Sequence, residues 1–263
     1  MPNDLTVTLV QADLHWHEPA ANRAQFDALL GALPAPTDLI VLPEMFTTGF
    51  SMAAANLAET MQGPTVAWLR ATAAHHGAVV TGSVIICDGD AFHNRLLWVR
   101  PDGTLAYYDK RHLFTFAGEH HTYAAGQRAP LVEVWRGWRI CPLICYDLRF
   151  PVWSRNPAAA PYDLLLYVAN WPAVRRRPWQ VLVQARAIEN LAYVAGVNRV
   201  GTDGLGHAYA GDSALLDMRG EYLAEAGDAV GTFTRTLSRT GLEDFRLKFP
   251  ALQDGDAFAL TGL

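Results

Sequence analysis

The chain has 263 residues, of which 51% are hydrophobic and 18% charged, so its composition indicates a globular protein with a substantial core. Its net charge is −5, whereas nucleic-acid-binding proteins are usually basic, and the one basic run, residues 175–177, is interpreted as a solvated helix start. No apolar stretch reaches the roughly 18 residues of a membrane-spanning helix, so neither nucleic acid nor a membrane is expected as a partner.

The first part of the chain is predicted to alternate between strands and helices. Apolar residues alternate in the first segment, and the next has helical periodicity that stops at Pro34. A fully apolar segment then indicates a strand covered on both faces. The elements predicted here are strand 5–11, helix 19–33, strand 39–42, helix 65–76 and strand 78–86.

Hairpins and further buried strands are predicted in the rest of the chain. Pro101-Asp102-Gly103 is a strong turn signal, and Pro178 is well placed in the first turn of a helix. The predicted elements are a hairpin of 95–100 and 104–108, strand 138–144 after a turn near 136–137, strand 162–169, a helix from 178 to about 190, strand 191–197, a hairpin of 214–217 and 221–224, and strand 231–237.

These elements predict an α/β fold. Apolar strands need cover from helices on their outer faces, whereas the many hairpins argue against a purely parallel doubly wound sheet. A four-layer α-β-β-α sandwich of two mixed β-sheets with outer helices satisfies both requirements. No repeat or linker divides the chain, so one domain spanning residues 1–263 is expected.

Three strands are followed by side chains that can do chemistry. An apolar run, residues 140–144, leads to Cys145, another leads to Glu44, and an aromatic strand leads to Lys110. Functional sites collect where strands end. The arrangement suggests a nucleophile, a base and a cation that converge on one pocket.

Each of these residues also has a purely structural interpretation. Cys145 could be an ordinary buried cysteine, as Cys141 is taken to be, although polar residues begin directly after it. Glu44 could be a neighbour of a helix N-cap or half of a buried ion pair, and Lys110 could be a surface lysine at a strand end. None of the nine histidines lies in a pattern typical of a catalytic base, and a carboxylate can take that role when burial raises its pKa.

Taken together, the motifs around these residues resemble the nitrilase superfamily, the carbon–nitrogen hydrolases that use a Glu-Lys-Cys triad. The matching segments are 42–46, 108–114 and 144–151, in the order and with the spacing of that family. The likeness extends over residues 5–237. Three shorter segments add to it: 169–172, 186–190 and 211–213.

Within that superfamily the chain looks most like the omega-amidase branch. The segments that point to this branch are 43–50, 145–151 and 245–250. Omega-amidases hydrolyse the terminal amide of small dicarboxylic acid monoamides such as 2-oxoglutaramate and succinamate. The resemblance therefore implies an amidohydrolase that releases acid and ammonia from a small-molecule amide.

The resemblance also implies a mechanism with a thioester intermediate. Glu44 would take the proton of Cys145 and return it to the leaving ammonia, while Cys145 attacks the amide carbon. Lys110 and the backbone N–H of Tyr146 would stabilise the oxyanion. Glu119 matches a second glutamate that the family places beside the triad, although an exposed loop carboxylate is the alternative.

An omega-amidase must also bind the distal carboxylate of its substrate. Arg149 is the candidate because arginine binds carboxylates through two parallel hydrogen bonds, and an ion pair with Asp147 or another acid is the structural alternative. Phe46, Phe114 and Trp171 could form pocket walls, although large aromatic residues are more often core. No residue pattern calls for a metal or an organic cofactor.

Several alternatives and further expectations accompany this interpretation. The protein could be another amide, N-carbamoyl or nitrile hydrolase of the same fold, a non-catalytic partner-binding protein, or a redox-sensing thiol protein.

Family resemblance implies a homodimer, with residues 242–263 as a C-terminal arm that could cross the partner. Three cysteines in apolar segments, and an N-terminus without signal-peptide features, favour a cytoplasmic location.

Overall fold

Two six-stranded β-sheets form the centre of the protein in a computed structural model, which describes residues 4–260. The strands are β1 (Leu5–Gln11), β2 (Leu39–Val41), β3 (Val79–Asp88), β4 (Ala91–Val99), β5 (Leu105–Asp109), β6 (Glu133–Trp135), β7 (Trp138–Ile144), β8 (Leu164–Val168), β9 (Tyr193–Val197), β10 (Val200–Thr202), β11 (Ala208–Ala210), β12 (Ala214–Leu216), β13 (Tyr222–Glu225) and β14 (Gly231–Leu237). The α-helices are α1 (Pro19–Gly31), α2 (Ala54–Leu57), α3 (Pro64–His76), α4 (Arg176–Asn190) and α5 (Arg239–Lys248).

Both sheets are mixed. The first has the order β14-β1-β2-β3-β4-β5, with β1, β2 and β3 parallel and the other pairs antiparallel. The second has the order β13-β12-β9-β8-β7-β6, with β7, β8 and β9 parallel. The central strands β2, β8 and β9 are buried along their whole length, which explains their unbroken apolar sequences.

The strands present alternate residues to two different apolar layers. In β2, Ile40 packs towards the outer helices, in a cluster that includes Phe26 of α1 and Leu69 of α3. Leu39 and Val41 belong to a second cluster that joins the two sheets and includes residues of α4. The result is the predicted α-β-β-α sandwich of two mixed sheets with outer helices, and that prediction is confirmed.

The structure also differs from the sequence prediction at several places, and two of the differences are large. Strand β3 continues to Asp88 and turns through Gly89, whose φ is +61°, directly into β4, so a long hairpin replaces the predicted isolated strand. Helix α5 was not predicted, because most of its residues are polar. Ser238 caps it by accepting a hydrogen bond from the Gly241 N–H at 3.2 Å.

Helix α5 also changes the interpretation of residues 242–263 as an arm. Leu242 is fully buried, and the Arg246 guanidinium binds Asp163 at 3.0 Å, so this part of the segment docks on its own chain. The exposed side chains Phe249 and Phe258 follow the helix, and residues 261–263 of the predicted arm lie outside the described residues. No helix in the part of the chain described is both long and apolar enough to span a bilayer.

Candidate active site

Strand ends of both sheets meet at one cavity. Lys110 directly follows β5, and Glu44 lies three residues beyond β2, both in the first sheet. Cys145 directly follows β7 in the second sheet, and Asn170 lies just beyond β8. The three residues predicted to converge therefore do so, because the two stacked sheets bring their strand ends together.

A fully buried lysine lies between two fully buried glutamates. The Lys110 Nζ donates to Glu44 Oε1 at 2.9 Å and to the two carboxylate oxygens of Glu119 at 3.0 and 2.9 Å. The side chains of all three residues are inaccessible to solvent. Glu119 is therefore not an exposed loop carboxylate. The backbone N–H of Phe114 donates a further hydrogen bond to its carboxylate at 2.5 Å.

Cys145 occupies a sharp turn at the start of a 3-10 helix, Cys145–Arg149. Its φ is +41°, in the left-handed region where a residue other than glycine is strained by roughly 1 kcal/mol or more. The surrounding structure holds this turn, since the Asp147 carboxylate accepts hydrogen bonds from the Ile144 N–H at 3.1 Å and the Tyr108 hydroxyl at 2.8 Å. The turn places the Cys145 thiol at the cavity, where the negative charge of the Glu44 carboxylate acts on it.

Burial and neighbouring charges determine the protonation of the site. Burial raises the pKa of the Cys145 thiol well above its usual value, and the negative charge of Glu44 raises it further, while Lys110 acts in the opposite direction. Burial by itself would lower the pKa of Lys110, but Glu119 and Glu44 raise it, so this lysine stays charged. Cys145 is thus a neutral thiol at rest and needs a base to attack.

Two asparagines complete the surroundings of Glu44, and the sequence prediction missed both. Asn94 Nδ2 donates to Glu44 Oε1 at 2.8 Å, and the Asn170 backbone N–H donates to Glu44 Oε2 at 2.8 Å. The Asn170 side chain also binds the backbone oxygen of Glu44. Asn170 lies in one of the segments that resemble the nitrilase superfamily, and this resemblance is the only feature of the sequence that could have indicated its role. Asn94 lies within an ordinary strand, and no feature of the sequence indicates its role.

The cavity has a volume of about 680 Å³ and contains most of the predicted binding residues. Lys110 and Cys145 lie in its wall, and so do four residues predicted to contact substrate. These are Phe114, Tyr146, Arg149 and Trp171. The volume falls in the range of small-molecule sites, which is about 300–1,000 Å³.

Phe46 is a correction to the predicted pocket walls. It is fully buried away from the cavity, and its ring packs edge-on against Phe26 at 5.5 Å and tilted against Trp68 at 5.8 Å. Glu44 precedes a turn in which Met45 has a φ of +40°. Phe46 lies beyond this turn, among the residues that join the first sheet to its outer helices.

Two arginines line the cavity, one predicted and one missed. The Arg149 guanidinium lies over the Trp171 ring at 5.1 Å and, among the residues described, forms no ion pair with Asp147 or with another acid, so the structural alternative for Arg149 is not realised. Arg175 lies over Phe116 at 4.8 Å. The run 175–177 is therefore not simply a solvated helix start, because its first residue lines the cavity. Among residues 4–260 no group of His, Cys, Asp and Glu side chains could hold a metal ion.

Comparison with known proteins places these observations in a family context. The carbon-nitrogen hydrolase family model matches residues 6–246. The omega-amidase YafV of Yersinia enterocolitica is 53% identical over 260 residues, which cover 97% of this chain and 98% of that protein. The 2-oxoglutaramate amidase of Bacillus subtilis is 31% identical, over 95% of this chain and 96% of its own.

A solved structure is similar over nearly its whole length. XC1258 from Xanthomonas campestris is described as a CN-hydrolase superfamily protein with an arsenic adduct in the active site. It is 52% identical to this chain and superimposes with a TM-score of 0.95, covering 98% of this chain and 99% of that one. The likeness includes both sheets and the strand ends that meet at the cavity.

Proposed function

Because this chain belongs to the carbon–nitrogen hydrolase family, on its omega-amidase branch, we propose that it hydrolyses the terminal amide of small dicarboxylic acid monoamides. The products are the dicarboxylic acid and ammonia. The single observation that carries this proposal is a cavity whose wall holds Lys110, Cys145 and Arg149, with the buried Glu44 carboxylate bound to Lys110 directly behind that wall. The names of the relatives, omega-amidase and 2-oxoglutaramate amidase, support the substrate class.

In the proposed reaction the thiol is deprotonated only as it attacks. Glu44 takes the Cys145 proton while the sulfur bonds to the amide carbon, and the carbonyl electrons move to oxygen. In this scheme Lys110 and the backbone N–H of Tyr146 stabilise that oxyanion. Collapse of the intermediate breaks the C–N bond, and Glu44 gives its proton to the nitrogen, so ammonia leaves and a thioester remains on Cys145.

Water completes the turnover. Glu44 takes a proton from water while the oxygen attacks the thioester carbon, and the same proton then returns to the departing sulfur. The acid product is released and the thiol is restored. Glu119 does not exchange protons in this scheme, since its two oxygens bind Lys110 and hold that cation beside the reacting centre.

Removing the nucleophile tests the proposal directly. We expect Cys145→Ala to abolish ammonia release from 2-oxoglutaramate and succinamate, and Glu44→Gln to lower kcat by roughly 10²–10⁴-fold because the base is lost. Cys141→Ala is the matched control, since that buried cysteine lies outside the cavity wall, and its activity should persist. Unchanged ammonia release in Cys145→Ala would contradict the proposal.

We further propose that the protein is a homodimer of single-domain subunits in the cytoplasm. Exposed apolar side chains support association, and they occur both on α4 and after α5. Examples are Val181, Ile188 and Phe249, which expose 41%, 49% and 55% of their surface. The three cysteines are free, and a catalytic thiol works best in a reducing compartment, which supports the cytoplasmic location.

A further inference from the structure

Arg149 and Arg175 differ from the other arginines of the protein that are not exposed. In the part of the chain described, the guanidinium of every other arginine that is at least partly buried binds a carboxylate or carbonyl oxygen. Arg149 and Arg175 have no such partner for the guanidinium, and both line the cavity of Cys145. A half-buried guanidinium without an anion has lost part of its hydration without replacement, so the cavity is prepared to accept an anion.

Trp171 positions both arginines. The Arg149 guanidinium lies over its ring, 5.1 Å from the ring centroid, and its indole N–H donates to the backbone oxygen of Arg175 at 2.8 Å. The Arg175 guanidinium in turn lies over the rings of Phe114 and Phe116, at 5.4 and 4.8 Å. Aromatic faces hold a guanidinium while leaving its N–H donors available at the edge.

We propose that Arg175 is a specificity-determining residue, which together with Arg149 binds the acid end of the substrate. This inference rests on the proposed function and extends it to the acid group itself. One carboxylate can satisfy one guanidinium through two parallel hydrogen bonds. Two guanidinium groups at one cavity fit an acid end with more acceptor oxygens, and a 2-oxo carboxylate supplies three in one plane.

The arrangement therefore favours 2-oxo acid monoamides over plain dicarboxylic acid monoamides of equal length. The additional carbonyl oxygen gives the second arginine an acceptor that a simple methylene group lacks. Both arginines bind the end of the substrate away from the amide. Loss of Arg175 should then weaken binding rather than slow the chemical steps, which belong to Glu44, Lys110 and Cys145.

The experiment compares Arg175→Gln and Arg175→Lys with the wild-type protein on three amides. These are 2-oxoglutaramate, its analogue without the oxo group, glutaramate, and the neutral amide valeramide. We expect Arg175→Gln to lower kcat/KM for 2-oxoglutaramate roughly 10- to 100-fold, chiefly through KM, with a smaller loss for glutaramate. Activity on valeramide should not change, and Arg175→Lys should recover part of the loss because it keeps the charge.

Arg177→Gln is the matched control, since Arg177 belongs to the same basic run but is exposed and absent from the cavity wall. Its kinetics should equal those of the wild-type protein. Equal losses for all three amides in Arg175→Gln, or no loss for either acid, would overturn the assignment of Arg175. Valeramide turned over better than both acids by the wild-type protein would instead overturn the proposed function.

Discussion

At the scale of single residues, two cysteines show how position decides chemistry. Cys141 and Cys145 are both buried, and burial raises the pKa of each thiol. Cys141 lies within β7 and does not line the cavity, so it has no substrate to attack. Cys145 lies one residue beyond that strand, where it lines the cavity and is close enough to Glu44 for the carboxylate to influence its thiol.

The raised pKa of Cys141 predicts a loss of stability in alkaline solution. Burial raises its pKa to about 12 in the folded state, whereas an unfolded cysteine titrates near about 8.5. Above the latter pH the unfolded chain loses a proton that the folded protein keeps, so unfolding becomes easier as pH rises. This one group contributes a slope of up to about 1.4 kcal/mol per pH unit between those two pKa values.

The measurement is urea unfolding of the wild-type protein and Cys141→Ala at pH 7, 9 and 10. The difference at pH 7 gives the packing contribution of the side chain and serves as the reference. We expect the free energy of unfolding to fall less steeply with pH in the variant. Parallel curves for the two proteins would contradict the expectation.

Several site residues could be predicted from sequence because each follows an apolar segment or lies in a family motif. Glu44, Lys110 and Cys145 belong to this group, and the structure brings them together. Asn94 and Arg175 could not be predicted in this way. The side chains that they contact come from distant parts of the chain. Only the packing of the two sheets and the path of the loops bring these side chains together.

At the scale of secondary structure, one carboxylate joins the two sheets beside the cavity. Asp147 belongs to the 3-10 helix after β7, and it accepts hydrogen bonds from Tyr108 of β5 and from His112 after β5. The Tyr108 hydroxyl is itself bound by the Trp153 indole N–H at 2.9 Å. The turn that presents Cys145 is thus tied to the end of the strand that presents Lys110.

Asp147→Asn should destabilise the protein by about 2–4 kcal/mol, because an amide nitrogen would face donors that now bind a carboxylate oxygen. In a chain of this size that corresponds to a fall in Tm of roughly 5–15 °C. Thermal unfolding followed by circular dichroism measures it. Asp244→Asn, on the exposed side of α5, is the control and should leave Tm unchanged, whereas equal Tm values for both variants would contradict the role of Asp147.

At the scale of the whole molecule, the sandwich was predictable because its strands are strongly apolar and its turns carry clear signals. Helix α5 was not predictable, since most of its residues are polar; Leu242 is buried and Arg246 binds Asp163. A helix that is mostly polar has weak periodicity, and its stability depends on docking against the rest of the chain. The same docking leaves Phe249 exposed just beyond the helix.

The exposed side chain of Phe249 allows the proposed homodimer to be tested. We expect light scattering at micromolar concentration to give about twice the subunit mass of 28.9 kDa. Phe249→Asp should shift the protein towards the monomer, because a charge would enter the apolar contact. Val230→Asp, in the exposed loop before β14, is the control and should keep the mass of the wild-type protein. A wild-type protein that is monomeric would contradict the proposal.

The pairing of the first strand with the last has a consequence for the order of folding during synthesis. β1 and β14 pair along their whole length, from Leu5 with Leu237 to Gln11 with Gly231. The sheet that carries Glu44 and Lys110 therefore remains open at one edge until the ribosome has made residues 231–237. Such distant pairing closes slowly. The nascent protein must keep the exposed edge of β1 from joining other chains until its own last strand arrives.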